Sequence, residues 1–190
     1  GVKFGFCAFS PNSNTIKIHN IKKAQGIVRH LDSISDVVIV SFHGGAEGSK
    51  YRHVTRKTET YLGENRGNPY RFSRAVIDAG ADIVFGHGPH VTRAIDLYKG
   101  RFIAYSLGNF ATYGRFNLRG VNGLAPIIKV YTDKDGAFYK AQIYATSQLG
   151  RGGPQIDESK RVIKEIIDLT NQDIPGAPIH INGNGLVTKK

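Results

Sequence analysis

The sequence predicts an α/β fold with parallel strands at its centre, and three stretches carry that prediction. Residues 36–42 (Asp36-Val37-Val38-Ile39-Val40-Ser41-Phe42) form a short continuous apolar run rich in β-branched side chains, the pattern of a central strand covered on both faces. Asp82-Ile83-Val84-Phe85 repeats that character. Between them, residues 69–79 have helical character, with Pro69 suited to a first turn and Gly80 to a C-terminal stop. Strand, helix and strand make a β-α-β unit. Its crossover is right-handed and its strands are parallel, so both strands end at the same sheet edge.

The remaining elements follow from local pattern. Residues 2–9 read as a largely buried strand that contains Cys7, the single cysteine, taken as a small buried hydrophobe. With one cysteine, no internal disulfide is possible. Ser10–Thr15 is a loop by composition. Residues 20–33 repeat Ile21, Ala24, Ile27, Val28 and Leu31 at helix spacing. Residues 43–68 are charged, poor in apolar side chains and long for a connection, which marks them as functional or mobile. Runs 94–98 and 101–106 flank Lys99-Gly100, a hairpin turn. A loop over 108–124 precedes strands at 126–132 and 137–146, and residues 157–170 form an amphipathic helix with Val162, Ile163, Ile166, Ile167 and Leu169 on its apolar side. Residues 1–173 are therefore read as one folded portion, and residues 174–190, rich in Pro, Gly and Asn, as an irregular tail.

Composition narrows the classes. The chain has 190 residues, 40% hydrophobic and 22% charged, enough for one globular domain with a core. No run approaches the ~18 apolar residues of a membrane span, and no secretory signal pattern opens the chain. Methionine is absent, so the chain is expected to derive from a longer polypeptide. A formal net charge of +11 implies attraction to polyanions: nucleic acid, anionic lipid or an acidic polymer. The charges are dispersed and no nucleic-acid-binding motif is present, which ranks nucleic acid below the other ligands.

The chemistry-bearing residues collect at one sheet edge. His43 directly follows the first strand of the β-α-β unit; His87 and His90 directly follow the second. In open α/β sheets, sites are built at the carboxyl ends of strands. The hairpin runs away from His90 and returns, bringing Ser106 and Asn109 to the same edge. Gly86, Gly88 and Pro89 set a stiff turn between two imidazoles, which suits a site whose ligands must be held before an ion arrives. Neutral imidazole binds Zn, Mn, Fe and Co. His43, His87 and His90 are thus candidate metal ligands. The alternative is that they cap strand ends. His53 is a weaker site candidate, and His19, His30 and His180 are expected to be solvated.

Three segments carry a family resemblance. Ser41–Gly48 (SFHGGAEG) resembles the His-x-Gly-x-Glu segment of the CapA family of bacterial capsule and poly-γ-glutamate synthesis proteins. Residues 77–91 (IDAGADIVFGHGPHV) resemble its Asp-Ala-Gly-Ala-Asp…Gly-His-x-Pro-His segment, and residues 101–116 its Tyr-Ser-Leu-Gly-Asn-Phe segment. Glu64–Phe72 (ENRGNPYRF) extends the loop before the helix, as in a subset of that family. The resemblance implies kinship with calcineurin-like metallophosphoesterases: a four-layer α-β-β-α sandwich around two divalent metals (Mn, Zn or Fe), of which this chain is the C-terminal half. It matches His43, His87 and His90 to metal ligands, with an extra residue in the His87–His90 pair. Glu47 and Asn109 match further family residues, expected to be catalytic. The family's Asp-containing metal motif and its Asn-Asn-His motif lie upstream of the segment matching Gly1. An N-terminal half, in the same or a separate chain, is therefore the expected partner, and this portion alone is expected to bind metal weakly and to be inactive. The implied activity is phosphoester hydrolysis, in which two metals activate a water and polarise a phosphoryl oxygen. The alternative is a non-catalytic accessory role, binding or exporting an anionic polymer. Either implies the cell envelope or exterior of a bacterium.

Overall fold

The computed structural model describes residues 1–114 and 116–190 and shows a mixed α/β structure. Its first part builds a mainly parallel sheet. Strand β1 (Phe4–Phe9), helix α1 (Ile21–Asp32) and strand β2 (Val37–His43) form one crossover unit. A long connection follows, with a short 3-10 turn at Ser49–Tyr51 and a two-stranded ribbon of β3 (Thr60–Tyr61) and β4 (Glu64–Asn65). Helix α2 (Pro69–Ile77) then leads to β5 (Ile83–His87), and the hairpin of β6 (Ile95–Tyr98) and β7 (Arg101–Ala104) completes the sheet in the order β1-β2-β5-β7-β6. Only the edge strand β6 runs antiparallel to its neighbour.

The helices start where their caps dictate. The Asn20 side chain accepts from the Lys23 amide and the Asn68 side chain from the Arg71 amide, each satisfying a donor that the first turn leaves free. Pro69 occupies the first turn of α2, where its missing amide costs nothing. α1 and α2 pack on one face of the sheet. Phe72 of α2 is fully buried and meets Phe9 and Phe42 edge-on, at ring centroid distances of 5.4 and 5.5 Å.

The second part is antiparallel. Strands β8 (Leu124–Thr132) and β9 (Phe138–Gln148) pair along their length, with a register shift at Tyr131/Thr132. Along the other edge of β9 lie β10 (Pro154–Ile156) and β12 (Leu186–Lys189), the latter paired with β11 (Ile179–Ile181). Helix α3 (Arg161–Asp173) packs against this sheet. The two sheets meet where Phe138 stacks on Phe102, at 5.7 Å and 13°.

Four expectations need correction. The tail beyond Ile174 is not irregular: its Gly/Asn turn closes a hairpin whose Val187 is fully buried against the sheet. Helix α3 begins at Arg161 rather than residue 157, because the Asp157 carboxylate accepts from the Ser159 and Arg161 amides and shapes a capping turn ahead of it. Strand β1 is not largely buried, and Cys7 is half-buried rather than sealed in the core, its thiol pushed up to about 11 by burial. Nor is β2 covered on both faces, since Ile39 and Ser41 are only half-buried.

The exposure of β1 at Phe4 and Phe6 and the partial burial of β2 share one cause. Register places Phe6, Ile39, Ile83, Phe102 and Leu97 on one face of the first sheet. The second sheet covers that face only at its β7–β6 end, where Phe102 and Leu97 are buried. At the other end Phe4 and Phe6 are 61% and 60% exposed, and the Phe6 ring lies 6.4 Å from that of half-buried Phe85. By strand alternation His43 and His87 stand at the C-terminal end of this open face.

Phe72 supports the strand that ends in His43 through Phe42. Phe72→Ala should lower stability by about 3–5 kcal/mol, read as a reduced urea midpoint with an unchanged m-value.

Candidate metal centre

Two turns build the site. β2 and β5 are parallel neighbours and end in register, His43 opposite His87. The turns beyond them are joined by backbone hydrogen bonds: the Gly44 amide donates to the His87 carbonyl at 2.7 Å, and the Gly48 amide to the Pro89 carbonyl at 2.8 Å. Gly88 permits this approach. Its φ is +123°, and a Cβ there would lie 2.5 Å from the Gly44 oxygen and 2.6 Å from the Gly44 nitrogen.

His90 then adopts a left-handed backbone with φ of 58°, uncommon outside glycine. Asn109 holds it there. Its side-chain amide donates to the His90 carbonyl at 2.8 Å and to the Asn122 carbonyl at 3.1 Å. The returning hairpin therefore does bring Asn109 to this edge, where it positions the His90 backbone. Ser106 arrives as well but is buried, its carbonyl accepting from the Arg93 amide.

His43, Glu47 and His90 converge. One donor atom from each lies within 4.8 Å of the other two, and all three residues are half-buried. The two imidazoles stand nearly perpendicular, at 89°, with centroids 5.8 Å apart. Glu47, expected among catalytic residues, thus lies with the candidate ligands. His87 is beside His43 in the sheet but outside this group, its ring edge-on to Phe85 at 5.7 Å. His53 lies elsewhere, with Nδ1 2.8 Å from the Asp173 carboxylate.

The donor set fits a divalent cation. Two imidazoles and a carboxylate are ligand types used by Zn, Mn and Fe. Ligand imidazole must be neutral. Burial foremost, and then the Arg66 charge, lowers the pKa of His43 from its ordinary value; burial and then His90 lower that of His87.

Two arginines escaped the sequence reading. Arg93 is fully buried and forks onto Glu59, with bonds of 2.9 and 2.8 Å, while Glu59 also accepts from the Ala46 amide. This clamps the loop that carries Glu47. A charge at 93 flanked by apolar Val91, Ala94 and Ile95 was the available signal. Arg66 reaches the centre itself, pairing with Glu47 at 2.8 Å and donating to Glu64 at 3.0 Å, with its Nη2 3.2 Å from His43 Nε2. Nothing in the local sequence around Arg66 separates it from the other charges of its loop.

Comparison with known proteins bears on this geometry. The family described as bacterial capsule synthesis protein PGA_cap matches residues 8–113, which include all of these candidate residues. The PGA biosynthesis protein CapA of Bacillus subtilis (strain 168) is 40% identical over 76 residues, covering 40% of this chain and 17% of that protein. The capsule biosynthesis protein CapA of Bacillus anthracis is 38% identical over 78 residues, covering 40% of this chain and 15% of that protein. A probable polyglutamine synthesis accessory protein of Mycobacterium tuberculosis (strain ATCC 25618 / H37Rv) is 34% identical over 74 residues, 39% of this chain and 16% of that protein. The matched stretches thus span less than a fifth of these relatives.

NMR titration should find His43 and His87 protonating below the ordinary 6.5. Because the folded form holds these rings neutral, the unfolded chain binds more protons at low pH. Their contribution to stability is present above the unfolded value of about 6.5 and is lost as pH falls from there through the lower values of the folded form.

Proposed function

The chain belongs to the bacterial capsule synthesis PGA_cap family, and from that premise we propose that it provides one wall of a metal-dependent phosphoesterase site. The convergence of His43, Glu47 and His90 is the observation that supports this reading most. In it, these three residues hold a divalent cation, Mn, Zn or Fe, with His87 beside them as a ligand to a second. Such a centre supplies Lewis acidity toward a phosphoryl oxygen and lowers the pKa of water. The chain's own residues do the rest. Burial keeps His43 neutral and able to coordinate. Asn109 fixes the backbone that presents His90. Phe116 stacks on His90 at 5.0 Å and also lines a cleft of about 760 Å³ with Arg119 and Arg151, a basic approach for an anionic substrate.

A two-metal centre needs more ligands than these. We assign them to an N-terminal portion of the same domain, continuous with this chain or separate, seated over the open sheet face around Phe4, Phe6 and Phe85. That placement puts new ligands beside His43, at the end of the same face, and completes a four-layer α-β-β-α sandwich. The expected location is the bacterial cell envelope, from the capsule biosynthesis named for the Bacillus relatives. Among the described residues no helix is long and apolar enough to cross a membrane.

A second reading draws on charge. A surface of net +11 favours an accessory role in which a polyanion such as poly-γ-glutamate is held by many weak contacts.

One experiment separates the two. The complete protein should hydrolyse bis(p-nitrophenyl) phosphate, lose that activity to chelator, and fall at least ~100-fold on His43→Ala or His90→Ala. No metal-dependent turnover, with salt-sensitive polymer binding that survives both substitutions, would leave the accessory reading in its place.

A further inference from the structure

The position of Arg66 bears on how a cation enters the centre. Its side chain is only 8% exposed, yet it points at two of the three candidate ligands. One Nη forms an ion pair with Glu47 Oε1 at 2.8 Å and lies 3.2 Å from His43 Nε2; the other donates to Glu64 at 3.0 Å. The guanidinium thus lies against polar atoms of two of the three side chains that would hold a cation. Its Nε is buried and has no acceptor among the described residues. A buried donor without a partner is costly, so this seat is an incompletely satisfied one.

The backbone beneath is fixed. The Arg66 amide donates to the Glu59 carbonyl and its own carbonyl accepts from the Gly45 amide, both at 2.9 Å. Glu59 is in turn locked by Arg93. The Arg66 Cα is therefore tied to the same loop as the ligands, and only the side chain is left to move. Glu64, 47% exposed and already bound to the other Nη, offers an anchor toward solvent.

We propose that Arg66 is an internal competitor of the metal: its guanidinium occupies Glu47 and His43 until a divalent cation displaces it, and the displaced fork then binds an oxyanion of the substrate at the mouth of the site. This rests on the metal-centre reading above and adds a role for a residue outside the ligand set. The fork geometry of guanidinium suits a phosphoryl group, donating two parallel N–H bonds. Exchange of one cation for another at Glu47 also avoids leaving its carboxylate unpaired at any stage.

Calorimetric titration of the complete protein with Mn²⁺, and then of the Mn²⁺-loaded protein with inorganic phosphate, tests the proposal. Arg66→Met keeps the apolar stem and removes the charge; Arg66→Lys keeps the charge without the fork, and circular dichroism checks that each folds. Arg66→Met should bind Mn²⁺ at least ~10-fold more tightly than the unsubstituted complete protein and phosphate at least ~10-fold more weakly. Arg66→Lys should restore less than half of the lost phosphate binding energy. Unchanged or weaker Mn²⁺ affinity in Arg66→Met would overturn the competitor role while leaving the centre intact. Absence of Mn²⁺ binding by every variant would overturn the centre and the competitor together.

Discussion

The site depends on the backbone contact between the turn after β2 and the turn after β5. Parallel pairing sets His43 and His87 at the same level, but pairing alone leaves Glu47 and His90 free to diverge on their loops. The bonds from Gly44 to His87 and from Gly48 to Pro89 close the two turns on one another, and the missing side chain of Gly88 leaves room for them to do so. Once closed, the turn presents His90 through a left-handed residue pinned by Asn109. The buried Arg93–Glu59 pair then fixes the far end of the same loop. Breaking a pair of that kind leaves an uncompensated buried charge, which is why the loop behaves as part of the scaffold.

Much of this framework was legible in the residues. The β-branched run at 37–40 and its partner at 83–85 gave the parallel core, and the strand-end histidines marked the edge where His43, Glu47 and His90 stand together. What escaped was tertiary in origin. Whether a strand is covered on one face or two cannot be read from its own side chains, so the apolar β1 was expected to be buried although Phe4 and Phe6 are open. The tail hairpin has only three- and four-residue strands, too short for alternation to show, and β9 defines it. Arg66 and Glu59 come from a charged loop in which most charges are solvated. Only coordinates distinguish the two that turn inward.

The open face and the candidate centre are parts of one architectural fact. Helices seal one side of the first sheet, and the second sheet covers the other side only near Phe102. The exposed remainder is apolar and ends at His43 and His87. A partner seated there would bury hydrophobic surface and approach the ligands in the same movement, so association and assembly of the centre would be coupled. The positive charge of the chain would act on a longer range, toward anions of any kind, and would gain selectivity through groups such as the proposed Arg66 fork.

The central claim is that His43, Glu47 and His90 share one ion. Crystals of this protein grown with Mn²⁺ and measured at a wavelength where manganese scatters anomalously would test it most directly. The account predicts an anomalous peak within about 2.0–2.3 Å of a donor atom from each of the three residues, with the Arg66 guanidinium moved off Glu47. A peak bound by other residues, or none at this position at saturating Mn²⁺, would contradict it.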